Sequence, residues 1–228
     1  LVVAEPLAAG ARGVGYTYAD TATAHLARDK LVPLVLGRDA LAVGACWDAM
    51  VQAIRNLGRP GIASMAIAAL DNALWDLKAK LLGLPLVRLL GAVRESVPVY
   101  GSGGFTSYDV ATLTAQLREW SEAGIARVKM KIGREPGRDV ARVRAAREAI
   151  GATALFVDAN GAYARKQALR FADAFADLGV TWFEEPVSSD DLAGLRLLRD
   201  RAPPGMDVTA GEYGYDATYF RRMLEAGA

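Results

Sequence analysis

Apolar positions in the first part of the chain recur at helical spacing. Between Ile62 and Leu82 the sequence is rich in Ala and Leu. Ile67, Leu70, Leu74, Leu77 and Leu81 fall three or four residues apart, a stripe that demands a packing partner. Gly83 supplies C-cap chemistry there, and Pro85 stops the helix from continuing. Asp20 or Thr21 can cap an earlier helix running through His25 and Leu31, and a second helix fits Leu41 to Leu57. Arg59-Pro60-Gly61 then breaks the chain before the long one. Ahead of the helices lie an extended run, Leu1-Val2-Val3-Ala4, and a glycine-spaced turn region at Gly10, Gly13 and Gly15. Residues 1–92 therefore predict an α+β module.

From Val97 the pattern changes to short β-rich runs separated by amphipathic stretches. The runs are Val97 to Tyr100, Arg127 to Ile132, Ala154 to Asp158, Val180 to Glu184 and Asp207 to Glu212. Helical patterns lie between them, for instance Tyr108 to Ala123, Val140 to Ile150, Ala164 to Leu178 and Ala217 to Ala226. Strict alternation of this kind predicts an α/β fold built on a parallel sheet. The residues closing successive strands, Lys131, Asp158, Glu184 and Glu212, stand 27, 26 and 28 positions apart, one βα unit each time. In a (β/α)8 TIM barrel the strand C-termini converge on one face, so these side chains would meet. The competing fold, a doubly wound open sheet, wants a glycine-rich phosphate loop after its first strand. Gly101-Ser102-Gly103-Gly104-Phe105-Thr106 puts Thr106 where the last glycine belongs. The barrel is favoured for residues 93–228, with five βα units visible and about three more expected beyond them. A start at Leu1 rather than Met, already inside a strand-like run, points the same way, to a piece of a longer polypeptide.

Composition narrows the function classes. With 27 Lys plus Arg against 26 Asp plus Glu, the net charge of +1 offers no concentrated basic field for nucleic acid or anionic lipid. No apolar run approaches the roughly 20 residues of a membrane helix. A single cysteine, Cys46, excludes an internal disulfide, and with no secretory pattern at the start the expected location is the cytoplasm. His25 is the only histidine, so neither a His dyad nor a His metal cluster can be built from these residues.

The chemistry then rests on the strand ends. Each of Asp158, Glu184 and Glu212 could be a helix cap or a solvated loop charge. Three of them one βα unit apart form instead a crowded carboxylate set that is costly without a cation, and an all-oxygen donor set suits Mg2+. Lys129 and Lys131 flank Met130 and so share one strand face. Two ammonium groups held close depress each other's pKa, which lets one serve as a general base; the alternative is a solvated edge strand. Asn160 can bond a substrate or the base, or simply form an Asn-Gly turn. Ser102 among its glycines can approach a substrate carboxylate, although a turn accounts for the glycines equally well. Tyr213, next to Glu212, is a further substrate-contact candidate. Arg138, Arg142, Arg144 and Arg147 read as a solvated helix face with an Arg144–Glu148 pair. Trp182 and Phe183 read as strand core, His25 as structural and Cys46 as buried filling.

The stretch Ala66-Ile67-Ala68-Ala69-Leu70-Asp71-Asn72-Ala73-Leu74-Trp75-Asp76-Leu77-Lys78-Ala79-Lys80, with Leu84-Pro85-Leu86 and Leu89-Leu90-Gly91, resembles the helix-and-linker signature of the mandelate racemase branch of the enolase superfamily. The later Lys-x-Lys, Asp-x-Asn, Glu-Glu-Pro and Gly-Glu runs match that branch in order and spacing, so the resemblance covers essentially the whole chain. It implies a capping domain over residues 1–92, incomplete at its start, joined to a modified TIM barrel. By motif position it makes Asp158, Glu184 and Glu212 ligands of Mg2+, Lys131 a base and Lys129 its tuning neighbour. The implied step is removal of the proton α to a carboxylate, with the metal holding the enediolate. Glu185-Pro186 and Glu212 resemble the racemase and acid-sugar dehydratase side rather than the muconate cycloisomerase side. Dehydration of a sugar acid to a 2-keto-3-deoxy acid is the first expectation, and racemisation or epimerisation of a 2-hydroxy acid the second. Both commonly use a His-Asp pair on later strands, which lie beyond this sequence. The implied partners are a small carboxylate substrate and further copies of the chain in a homo-oligomer. Two rivals stand beside this reading: a metal-free aldolase with a Schiff base on Lys131, and a non-catalytic fragment or scaffold-like relative.

Overall fold

The structure is a computed structural model that describes residues 1–228. Its contacts divide the chain into two compact units, Leu1–Ser96 and Val97–Ala228. No helix is long and apolar enough to cross a membrane.

In the first unit β1 (Val2–Ala4) pairs antiparallel with β4 (Gly15–Thr17), and β2 (Leu7–Ala8) forms a hairpin with β3 (Ala11–Arg12). Ala9 and Gly10 make the two-residue turn with φ of 46° and 79°, the left-handed pair that matches the twist of a tight hairpin. Helix α1 (Thr21–Leu26) starts at Asp20, whose carboxylate accepts a hydrogen bond from Ala22 N at 2.9 Å. The single helix expected through Leu31 instead widens into a π-helical turn over Ala27–Leu31 and resumes as α2 (Val32–Val35). Pro33 accounts for this: it has no N–H to donate backward and its ring crowds the Asp29 carbonyl, which the wider turn moves aside. The remaining helices are α3 (Val43–Ala53), α4 (Ile62–Leu81) and α5 (Leu86–Leu89).

Helix α4 organises this unit. Ile67, Leu70, Leu74 and Leu77 of its apolar stripe are buried and Leu81 is half-buried. Gly13 and Gly15 are contact residues rather than turn residues. A Cβ on Gly15 would stand 2.1 Å from the Ala69 carbonyl oxygen, and one on Gly13 equally close to that of Ala73. Asp76 ties the helix to the link between β3 and β4 by accepting from Val14 N at 2.8 Å, and it also accepts from Lys80 Nζ of its own helix at 2.7 Å. His25 is exposed and bonded to Arg28, while Cys46 is buried.

The second unit alternates β5 (Gly101–Gly103), α6 (Val110–Glu122), β6 (Arg127–Lys131), α7 (Pro136–Ile150), β7 (Ala154–Asp158), α8 (Arg165–Ala176), β8 (Val180–Glu184), α9 (Leu192–Arg201), β9 (Asp207–Thr209) and α10 (Ala217–Ala226). The five strands form one parallel sheet in sequence order. The strand expected at Val97 to Tyr100 starts later, because Gly101 pairs with Val128 and the residues opposite the earlier run belong to the turn that ends α6. Helix α7 begins at Pro136, before the expected Val140, with proline in the first turn, where its missing N–H costs nothing.

One sheet face and all five helices share a single core. Val128, Met130, Leu155, Val157 and Phe183 pack with Leu113, Leu117, Val143, Ala146, Ala168, Phe175, Leu195, Leu198 and Met223. Helices therefore cover one face only. Strand parity sends the alternate residues, Lys129, Lys131, Phe156, Asp158, Trp182 and Glu184, to the other.

Candidate metal centre and active site

Lys131, Asp158 and Glu184 are register partners across β6, β7 and β8, so their side chains leave the sheet next to one another at its C-terminal edge. A register irregularity after Leu155 skips Thr181 and brings Asp158 level with Glu184. Glu212 does not close a strand: pairing ends at Thr209, and Ala210 and Gly211, the latter at φ 142°, carry the chain on to it. One carboxylate oxygen from each of Asp158, Glu184 and Glu212 nevertheless lies within 4.8 Å of the others.

The two lysines are wired into this set. Lys129, buried, donates to Asp158 Oδ2 at 3.0 Å and to Glu184 Oε2 at 2.7 Å, and its Nζ sits 5.4 Å from the Tyr100 ring centre. Lys131 donates to the same Asp158 oxygen at 2.5 Å and to Asn160 Oδ1 at 2.9 Å. β6 is interior to the sheet, so these are not edge-blunting lysines. The mutual pKa depression expected of the pair is not what Lys129 shows. Burial disfavours its charge, but the Glu184 and Asp158 carboxylates outweigh burial and raise its pKa above the usual lysine value. For Asp158, wholly buried, burial is likewise the largest influence and is overcome by Lys131 and Lys129, leaving its carboxyl below the usual range.

Asn160, with a left-handed φ of 45°, is the hinge of the network. Its backbone N–H caps Asp158 Oδ1 at 3.0 Å, and its Nδ2 donates to Glu212 Oε1 at 2.7 Å. Tyr213 lies beside Glu212, and its hydroxyl pKa is raised by partial burial and then by the Glu212 charge. Ser102 is the register partner of Lys129, exposed and without a side-chain hydrogen bond. The glycines around it serve helix packing: a Cβ on Gly101 would stand 2.5 Å from the Trp120 ring of α6.

Several contributors escape the sequence reading. Trp182 belongs to the site rather than the core, stacked on Phe156 at 5.3 Å and donating from Nε1 to Glu184 Oε2 at 3.3 Å. Strand parity with Glu184 carries that signal. Buried Asp139 on α7 accepts from Gly133 N at 3.0 Å and from Tyr163 OH at 2.5 Å, pinning the loops that follow β6 and β7. Arg142 is buried and Arg147 half-buried, where a solvated helix face would expose both. Arg142 donates to the Tyr108 and Phe105 carbonyls, and Arg147 to those of Leu178, Gly151, Thr153 and Gly179. Arg144 and Glu148 form no ion pair.

Glu185 is the least expected. It is fully buried with φ 41°, and neither carboxylate oxygen has a hydrogen-bond partner. Burial, then the Glu212 charge, push its pKa up to about 7, with the Gly211 amide opposing in part. An isolated buried carboxylate costs on the order of several kcal/mol.

A divalent cation fits these residues. The donors are all oxygens, three of them converge, and the orphaned Glu185 adds negative charge that the two lysines leave uncompensated. Mg2+ takes such hard donors while retaining water.

The same architecture recurs in known proteins. Residues 1–91 match the family model "Mandelate racemase / muconate lactonizing enzyme, N-terminal domain" and residues 112–228 the model "Enolase C-terminal domain-like". The chain is 37% identical over 226 residues to 3,6-anhydro-alpha-L-galactonate cycloisomerase of Streptomyces coelicolor, covering 96% of the chain and 62% of that protein. It is 35% identical over 191 residues to L-talarate/galactarate dehydratase of Salmonella typhimurium, covering 81% and 48%. Among crystal structures, a mandelate racemase/muconate lactonizing enzyme-like protein from Rubrobacter xylanophilus superposes with TM-score 0.93 at 54% identity, over 98% of this chain and 63% of that one. A racemase from Streptomyces coelicolor A3(2) with bound magnesium gives TM-score 0.88 at 34% identity, over 99% and 64%. The chain thus spans about half to two thirds of the length of these relatives. Both family models, the parallel sheet and the strand-end acids lead to one conclusion: the chain belongs to the mandelate racemase/muconate lactonizing enzyme branch of the enolase superfamily.

Proposed function

We propose that the polypeptide removes the proton α to the carboxylate of a small hydroxy acid. In this reading Mg2+ binds at Asp158, Glu184 and Glu212, and Lys131 Nζ accepts the proton. The net reaction is dehydration of a sugar acid, in which the α-proton and the β-hydroxyl leave as water and the enol product settles as a 2-keto-3-deoxy acid. The observation that carries the reading is the convergence of three carboxylates within 4.8 Å beside the Lys131–Asp158 pair. The names of the relatives support a lyase or isomerase.

Bound Mg2+ would supply positive charge opposite the oxyanion that grows as the α C–H bond breaks. Lys129, held as an ammonium by Glu184 and Asp158, adds fixed positive charge on the same face. Asn160 aims the base through Oδ1 and steadies Glu212 through Nδ2. Phe156 and Trp182 form an apolar floor beside the polar row. In this reading Ser102, the register partner of Lys129, and Tyr213, next to Glu212, contact the substrate. We read the sheet itself as part of an eight-stranded barrel. Strand order equals sequence order and helices lie on one face, whereas a doubly wound sheet needs them on both.

The test is to incubate the full-length polypeptide with Mg2+ and a panel of sugar acids in D2O and follow deuterium at the α-carbon and keto acid by NMR. Keto acid that disappears on chelation is the expected result. Exchange without keto acid would mean racemisation or epimerisation. Activity that survives chelation, with borohydride trapping of Lys131, would replace this reading with a Schiff-base enzyme.

A further inference from the structure

The Mg2+ reading leaves Glu185 without a role, yet the chain holds this residue in an uncomfortable state. Its backbone is left-handed at φ 41° although proline follows, a position where extended conformations are strongly preferred. That conformation is fixed from both sides: Glu185 N donates to the Thr209 carbonyl and the Glu185 carbonyl accepts from Gly161 N, each at 2.8 Å. The side chain ends fully buried, with two orphaned oxygens. The two backbone bonds seat Glu185 directly after Glu184 and between the segments that carry Asn160 and Glu212, so its neighbours are the acids of the cluster. Neither lysine compensates it, because Lys129 and Lys131 are spent on Asp158, Glu184 and Asn160. Apart from the Gly211 amide, nothing among this chain's own residues favours a carboxylate there, and a cation at the neighbouring acids would.

We propose that Glu185 is a positioning residue of the cation site, a fourth carboxylate outside the Asp158–Glu184–Glu212 set whose charge strengthens cation binding and which accepts hydrogen bonds from water carried in with the ion. This rests on the reading of those three acids as metal ligands. It assigns a job to the left-handed turn: a strand continuing past Glu184 would send the next side chain to the helix-packed face. Four acids and two ammonium groups also leave an excess of two negative charges when all are ionised, which a divalent ion balances.

The experiment compares the wild-type full-length polypeptide with Glu185→Gln and Glu184→Gln by calorimetric titration of MgCl2 and by thermal unfolding in EDTA. Glu185→Gln should bind Mg2+ roughly ten- to a hundredfold more weakly while its melting temperature in EDTA stays equal or rises, since a buried unpaired charge has gone. A merely structural role would move both readouts toward loss. Magnesium affinity of Glu185→Gln within twofold of wild type, with wild type binding and Glu184→Gln not, overturns this inference alone. Failure of the wild type to bind Mg2+ overturns the metal reading and this inference with it.

Discussion

Lys131, the proposed proton acceptor, is held by two acceptors of its own, Asp158 and Asn160, beside the carboxylates that would hold the metal. Replacing it with Ala should lower α-proton exchange in D2O by about 10²- to 10⁴-fold, the usual loss of a general base. Magnesium affinity should hold or tighten in the same variant, because an ammonium competing for Asp158 is gone; calorimetry checks this second arm. Weakened magnesium binding would show instead that Lys131 supports the site's geometry. The residues of this row were legible from two rules, strand parity for Lys129 and Lys131 and the βα period for Asp158 and Glu184. The same parity rule, applied to Trp182 and Glu184 or to Phe156 and Asp158, would have placed both aromatics in the site. Glu185 was beyond reach, because a backbone inversion after β8 leaves no mark on the hydrophobic pattern. The environment of Lys129 is hidden for a related reason: a neighbouring like charge can be read from sequence, but two carboxylates at 2.7 and 3.0 Å cannot.

Between elements, glycines and one acid decide how strand meets helix. Gly10 and Gly15 stand five residues apart and fail differently. Gly10→Ala meets open space but must adopt φ 79°, and should cost about 1 kcal/mol. Gly15→Ala puts a methyl group against the backbone of α4, and should cost about 1–3 kcal/mol or more as strand and helix are forced apart. Denaturant unfolding of the two variants measures the difference, and equal costs would contradict the close packing. Asp76 gives an acid-dependent contact. Its bond to Lys80 and, more weakly, the Val14 amide hold its carboxyl below the ordinary range against partial burial. A depressed folded pKa gives stability that is present above the unfolded value and lost as pH falls through the folded one. Asp76→Asn should therefore be about 1 kcal/mol less stable than wild type at pH 7, with the gap closing below roughly pH 3.9. Helix α4 was the most readable element, since its stripe, cap and stop agree. The π-turn and the late start of β5 were not, because both depend on what a given carbonyl or register partner finds opposite it.

For the molecule as a whole, the alternation of runs announced the parallel sheet, and the one-sided helix layer agrees with a barrel-type winding rather than a doubly wound one. What the sequence could not convey is how the site's stability is distributed. Every group of the cluster sits at the C-terminal edge of the sheet, in β6, in β7 and the loop after it, in β8 and its next residue, or just past β9. The core beneath is built of buried apolar side chains that touch none of the proposed ligands' oxygens through a hydrogen bond. A ligand that binds only the native state stabilises by about 2.7 kcal/mol at a hundredfold excess over its dissociation constant, and local opening is suppressed most where the ligand is held. Saturating Mg2+ should slow amide hydrogen exchange in the segments around 131–133, 158–163, 184–187 and 209–213. It should change peptides from the middles of α7 and α8 much less, and EDTA should reverse the difference. Protection spread evenly over the second unit would point to Mg2+ acting through global stability or at scattered surface acids. Protection confined to the four segments would locate the ion by a measurement that needs no substrate.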